Sequence, residues 1–219
     1  MRVEDLIQHY PHVYHMAESG SWPSIRKKGL LSTSALLDAF EVKGKERYRL
    51  ESEQRKQSVT IGQPPCGPVV IRDQIPLNES ALRKNLEGMS TADYYKLLNG
   101  KTFFWARKER LERLLNGRHY KGRAHDVLTI DTSALIERHQ ADIWLSRINS
   151  GAFFGSGKRG VGTFRRIADY PFEDFQKKRK EDAVVEVAVD YGVKDIARII
   201  TRVESWVGGK PTSVIWKPN

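Results

Sequence analysis

Glu186 stands alone among apolar neighbours in Ala183-Val184-Val185-Glu186-Val187-Ala188-Val189. At the solvent-facing position of an edge strand such a carboxylate only solubilises. Partly desolvated in a cleft, it can act as a general base or grip a ribose hydroxyl. Alternation puts it on the face of Val184 and Ala188, opposite Val185, Val187 and Val189, and leaves both readings open. His9, His12 and His15 recur every three residues, a spacing that invites a metal cluster. On a strand, however, those positions alternate faces and no nearby cysteine completes a set, so no metal is expected. His15 by periodicity reads as a core histidine. Gly155-Ser156-Gly157-Lys158-Arg159-Gly160 satisfies a dinucleotide-binding pattern in letters only, because the extended Val161-Gly162-Thr163-Phe164 follows where a helix must open. The overlapping run from Ala152 to Arg159 departs from a phosphate-binding P-loop. Ala152 replaces its first glycine, and Arg159 replaces the hydroxyl that would hold magnesium. A flexible basic loop is what survives.

These groups sit in a chain of 219 residues, 39% hydrophobic and 29% charged, which fits one domain spanning 1–219. A mean hydropathy of −0.54 and no apolar run near the roughly 18 residues a bilayer span needs argue against a transmembrane helix. No secretory signal is expected at the N-terminus. One cysteine, Cys66, can form neither an internal disulfide nor half of a cysteine zinc site, so the expectation is a cytoplasmic protein; separately, a monomer is the favoured oligomeric state. Lys and Arg number 37 against 27 Asp and Glu, a net +10, which implies an anionic partner: nucleic acid first, an acidic cofactor second. Charge cancels over residues 1–40. The densest basic stretch is Lys101, Arg107, Lys108, Arg110, Arg113, Arg118, Lys121 and Arg123, opposed by Glu109 and Glu112. Lys158, Arg159, Arg165 and Arg166 form a second group with no acid inside it, while the run at 177–180 is flanked by acids and reads as a solvated helix face.

The positioning elements follow from pattern. Strands are expected at 12–16, 69–71, 101–105, 126–130, 183–189, 199–206 and 213–216, with an extended segment at 143–148. A short helix opens at Ser21 and Pro23 and closes at Gly29. Residues 35–57 read as mostly helical, weakened at Gly44, until the break at 63–68. Helices follow at 79–87, at 91–98 behind the near capping box of Ser90 and Asp93, and at 107–116, where Glu109 and Arg113 are spaced to pair. Another, capped by Asp131 or Thr132, runs to His139, and 149–162 is a glycine-rich loop. Helices mixed with strands early and a β-rich end indicate an α+β fold.

In order along the chain, Tyr14-His15-Met16 and Ser24-Ile25-Arg26-Lys27-Lys28-Gly29-Leu30-Leu31-Ser32 resemble the opening of ADP-ribosyltransferase-fold proteins of the DarT type. Thr102-Phe103-Phe104-Trp105 is similar to that fold's aromatic strand. Val185-Glu186-Val187-Ala188-Val189, followed by Val193-Lys194-Asp195-Ile196, is similar to the strand of its catalytic glutamate. The middle departs, with no counterpart of the DarT Arg-Ser-Pro-Met stretch. Over nearly its full length the chain resembles DUF7002, a bacterial family of unknown function, in Ile71-Arg72-Asp73-Gln74, Leu98-Asn99, Phe103-Phe104-Trp105 and Ile148-Asn149-Ser150-Gly151.

The resemblance implies an ADP-ribosyltransferase-like split β-sheet core with peripheral helices. It implies NAD as substrate, a nucleic-acid acceptor (DNA or RNA, a protein acceptor being the alternative) and release of nicotinamide. Glu186 would be catalytic, holding the nicotinamide ribose and favouring the positive charge that develops as nicotinamide leaves. His15, with Ser32 or Thr33, would hold the adenosine-side ribose, Arg49 or Arg55 the pyrophosphate, and Phe104 and Trp105 the cationic ring. Asn149, Lys158, Arg159, Thr163, Arg165 and Arg166 would meet the acceptor. Two other activities compete: an RNA 2′-phosphotransferase-like reaction, and non-catalytic nucleic-acid binding through the 101–123 stretch.

Overall fold

Alternating and β-branched apolar residues build an antiparallel sheet, and capped helices cover both its faces. A computed structural model describes residues 1–62, 67–153 and 157–218. The break at 63–66 with Cys66, and Gly155 and Ser156 of the glycine-rich loop, lie outside the described residues. The first half comprises α1 (Val3–His9), β1 (His12–Glu18), α2 (Trp22–Lys28), β2 (Leu30–Leu31), α3 (Thr33–Ala39) and α4 (Gly44–Ser52). It continues with β3 (Val59–Ile61), β4 (Val69–Ile71), α5 (Glu79–Asn85), β5 (Leu86–Glu87), α6 (Thr91–Asn99) and β6 (Lys101–Trp105). Then come α7 (Lys108–Leu115), β7 (Ala124–Asp131), α8 (Thr132–His139), β8 (Ile143–Ser146), β9 (Arg159–Gly160) and α9 (Phe172–Arg179). The chain ends in β10 (Glu186–Asp190), β11 (Gly192–Val193), β12 (Ile200–Val207) and β13 (Lys210–Trp216).

The main sheet runs β13-β12-β7-β1-β6-β10-β8, with every neighbouring pair antiparallel. Its two halves join weakly. β1 pairs with β7 along its whole length and β6 with β10 from Glu186↔Trp105 to Asp190↔Lys101, but β1 meets β6 only at Tyr14↔Trp105. This is the split expected of the α+β core. Residues opposite one another in an antiparallel ladder share a face, so Tyr14, Trp105, Glu186 and Ser146 form one row across four strands. The other face carries Val13, Phe104, Leu128, Leu145 and Val187 into the largest core, closed by Leu6, Trp22, Leu135 and Ile136. On the Glu186 face, Tyr94, Phe153 and Phe164 pack over Ala188, while Leu111, Leu115 and Tyr120 pack with Met16 and Trp206.

Local expectations that fail do so through tertiary contacts. Residues 35–57 form two helices because Leu37 and Leu50 turn inward on Ile61 and Ile71, with Glu41 at φ 53° between them. Ser21 does not cap α2 with its side chain; Asp126 does, accepting from the Gly20 and Trp22 amides at 3.1 and 3.0 Å. Glu109 pairs with Arg107, and the Arg113 guanidinium bonds only to the Glu109 carbonyl. The helix at 79–87 ends early because Leu86 and Glu87 pair with Arg159 and Gly160. The capping box of Ser90 and Asp93 forms, and Asp131 caps α8.

Candidate active site

β10 begins at Glu186 and lies between β6 and β8, so the edge-strand reading of Glu186 is overturned. The side chain is 4% exposed. Its Oε2 accepts from the Ser150 amide at 3.1 Å, and the Ser150 carbonyl in turn accepts from the Tyr94 hydroxyl at 3.1 Å. Burial pushes the Glu186 carboxyl up to about 7, against the opposing pull of Ser150, Arg159 and Arg110. A group so placed exchanges its proton near neutrality.

At the split, the His15 ring takes up the gap: its Nδ1 lies 2.7 Å from the Phe103 carbonyl. Burial pushes His15 down to about 4, so the ring is neutral at pH 7. A carbonyl only accepts, which assigns the proton to Nδ1 and leaves Nε2 as an acceptor. His15 and Glu186 line one cavity of about 510 Å³ together with Ser32, Thr33, Arg55, Arg72, Phe103, Trp105, Asn149 and Ser150. That volume falls within the roughly 300–1,000 Å³ of small-molecule sites.

Several sequence expectations move. Phe104 is fully buried on the face opposite Glu186, since successive strand residues face opposite ways; it packs edge-on to the His15 ring at 5.8 Å and lines the cavity from that side. Phe103 and Trp105 are therefore the aromatic pair on the Glu186 face. Ser32 is 3% exposed, and its hydroxyl oxygen caps α3 by accepting from the Ala35 amide at 3.2 Å; Thr33 begins that helix. Arg49 is exposed on α4 and does not line the cavity. Arg55 lines it but is occupied: Nε donates to the Arg72 carbonyl at 3.0 Å, Nη2 to Asn99 Oδ1 at 2.9 Å, and Nη1 to the Leu50 carbonyl. It serves as a strut under the backbone of Arg72, just after β4.

Arg72 is a cavity-lining cation that spacing along the chain does not reveal. Its guanidinium lies 5.0 Å from the Tyr120 ring centre, its buried Nε has no partner, and it lines the cavity near His15. Its signals in sequence are its place directly after β4 and its membership of the Ile71-Arg72-Asp73-Gln74 motif. Among the proposed acceptor contacts, Asn149 lines this cavity and a second one, which Lys158, Arg159, Thr163 and Arg165 also line. Arg166 lines neither. It stacks 3.7 Å from the Trp144 ring centre and donates to the Ile143 carbonyl.

Among the described residues, no three His, Cys, Asp or Glu side chains group to hold a metal, and no helix is long and apolar enough to cross a membrane. A family model described as a family of unknown function (DUF7002) matches residues 11–200. No curated protein matches. A solved structure, Thermosipho africanus DarTG in complex with ADP-ribose, is similar at 12% identity and a TM-score of 0.46, covering 89% of this chain. The chain spans less than half of that one, 43% of its length.

Proposed function

The chain belongs to DUF7002, a family of unknown function, and we propose that its cleft transfers ADP-ribose from NAD to a nucleic-acid acceptor. One observation carries this reading: a buried carboxylate, Glu186, shares a row with Trp105 and lines the same cavity as a neutral histidine, at the point where the sheet splits. The order of motifs leading to the Glu186 strand, similar to that of ADP-ribosyltransferase-fold proteins, supports it.

The chain's residues then divide the work. His15 Nε2 accepts from a ribose hydroxyl, and Arg72 meets the pyrophosphate with donors that no carboxylate takes. Phe103 and Trp105 offer π faces to the cationic nicotinamide ring. Glu186, once ionised, accepts from the nicotinamide-ribose hydroxyl and stabilises the positive charge that develops at C1′. The C1′–N bond breaks with its electron pair leaving on nitrogen, which releases neutral nicotinamide. The acceptor's nucleophile bonds to C1′, and its proton passes to Glu186 and on to water. That Asn149 lines both cavities supports a place for it between donor and acceptor.

The test is nicotinamide release from NAD in the presence of nucleic-acid acceptors. Glu186→Gln keeps shape and loses charge, and is expected to lower the rate by about 10²–10³-fold, the range for removing one electrostatic stabiliser. Wild-type rate should rise with pH and level off above about 7 as Glu186 ionises. Release at the wild-type rate from Glu186→Gln would overturn the role given to this residue.

A further inference from the structure

Across Asn149 from the cleft lies a second cavity of about 1040 Å³, lined by Arg110, Arg147, Lys158, Arg159 and Arg165, with Glu87 the only carboxylate among the described residues of its lining. Lys158 and Glu87 approach each other at 3.5 Å on the exposed rim, and Arg110 is held by Asp182 at 2.7 Å. Arg147, Arg159 and Arg165 have no ion-pair partner among the described residues.

Arg159 is the informative member. It is 8% exposed, its buried Nε has no hydrogen-bond acceptor, and its terminal nitrogens make long contacts of 3.3–3.5 Å to the carbonyls of Gly157, Lys158 and Ala152, with the Tyr94 hydroxyl and the Glu186 carboxyl nearby. The Phe153 ring lies 4.9 Å beneath it. A guanidinium removed from water with one donor unspent and the others on long contacts is costly unless an anion completes it. The backbone holds it in that position. Leu86 pairs with Arg159 and Glu87 with Gly160, and a Cβ at Gly160 would stand 2.3 Å from the Glu87 carbonyl oxygen, so only glycine permits the pairing. Arg147 lies over the Phe175 ring at 5.0 Å, and Arg165 is exposed, its backbone bridged to Leu145.

We propose that this cavity is a phosphate-binding subsite, holding a phosphate ester of the acceptor beside the cleft. Planar guanidinium forks match phosphate oxygens two at a time, and three of them without carboxylates favour such a group over neutral ligands. That the phosphate belongs to an acceptor rests on the transferase reading; that the cavity binds phosphate does not.

The experiment is a titration without NAD, using inorganic phosphate, a nucleoside monophosphate, the matching unphosphorylated nucleoside and a short single-stranded oligonucleotide. The phosphate-bearing probes should bind, and Arg159→Gln should weaken them by about tenfold or more. Because Arg159 is buried, the exposed pair Arg147→Gln with Arg165→Gln is measured beside it, with a thermal melt to verify folding. The double variant should also flatten the dependence of oligonucleotide affinity on salt by about 0.7 for each phosphate it no longer neutralises. Binding of the oligonucleotide alone supports the site and assigns its ligand to a strand; equal binding of monophosphate and inorganic phosphate supports it with a small-molecule source. The proposal fails if no phosphate probe binds, if the folded double variant matches wild type, or if the bare nucleoside binds equally well. Intact phosphate binding without nicotinamide release counts against the transferase and leaves the subsite standing. Nicotinamide release without phosphate binding does the reverse.

Discussion

Glu186 and His15 depart from their ordinary pKa values in opposite directions for one reason: burial disfavours the charged form of each. Between the ordinary carboxylate range and about 7, folded Glu186 keeps a proton that the unfolded chain has lost, so its contribution to stability falls as pH rises. Between about 4 and the ordinary histidine value, folded His15 lacks a proton that the unfolded chain holds, so its contribution rises over that window. The two oppose each other in mildly acidic solution. Glu186→Gln removes the first and keeps an acceptor for the Ser150 amide. It should be more stable than wild type at pH 8 by roughly 1–3 kcal/mol, an advantage that shrinks toward pH 5. Urea melts at the two pH values measure it, and a variant less stable than wild type at pH 8 would contradict a buried, uncompensated carboxylate. The same residue would then limit stability where it enables chemistry. In sequence, one carboxylate in an apolar run is legible, but its burial is not, because that depends on β6 and β8 lying on either side.

At the scale of elements, the cleft exists because β1 and β6 separate after one pair and because the β2–β11 ladder closes its end. That ladder depends on Gly29, which sits at φ 91° with Lys194 Cα 2.5 Å from where a Cβ would be. Gly29→Ala combines a strained backbone with a backbone clash and should cost about 2 kcal/mol or more, read as a lowered urea midpoint with an unchanged slope. A neutral effect would mean that α2 and the 192–194 segment are not packed as described. Most element positions are readable from periodicity and caps: β6 and β4 match their expected bounds, and the capping box of α6 forms as its letters spell. The arginines are not. Arg49 and Arg55 both read as helix arginines, yet one is exposed and the other is occupied, while Arg72, which follows β4 and lies on no helix, has the unspent donor in the cleft. Spacing along one helix cannot reveal which side chain a distant loop carbonyl will occupy.

Over the whole molecule, the net charge of +10 redistributes on folding. The stretch from Lys101 to Arg123 is the strongest in sequence, but four of its members find acids far along the chain. Lys101 meets Asp190, Arg107 meets Glu181, Arg110 meets Asp182 and Arg123 meets Glu18. The sparser second group contributes Arg159 and Arg165 to the cavity beside Glu186, joined by Arg147. Accordingly Arg118→Gln with Lys121→Gln, both exposed, should change oligonucleotide affinity by less than about threefold, since such surface charges are largely screened. A larger loss would restore the 101–123 stretch as the nucleic-acid surface. By itself the sequence determined the α+β class, the order of the strands along the chain, the aromatic strand and the isolated Glu186, because periodicity, caps and turn residues act over a few positions. Only the tertiary structure decided that the sheet splits at Tyr14↔Trp105, that Phe103 and Trp105 share the Glu186 face while Phe104 lies on the other, and which cations remain unpaired among the described residues. The physical reason is that pairing, burial and charge neutralisation bring together residues separated by tens of positions, and no local pattern records which distant partner each side chain meets.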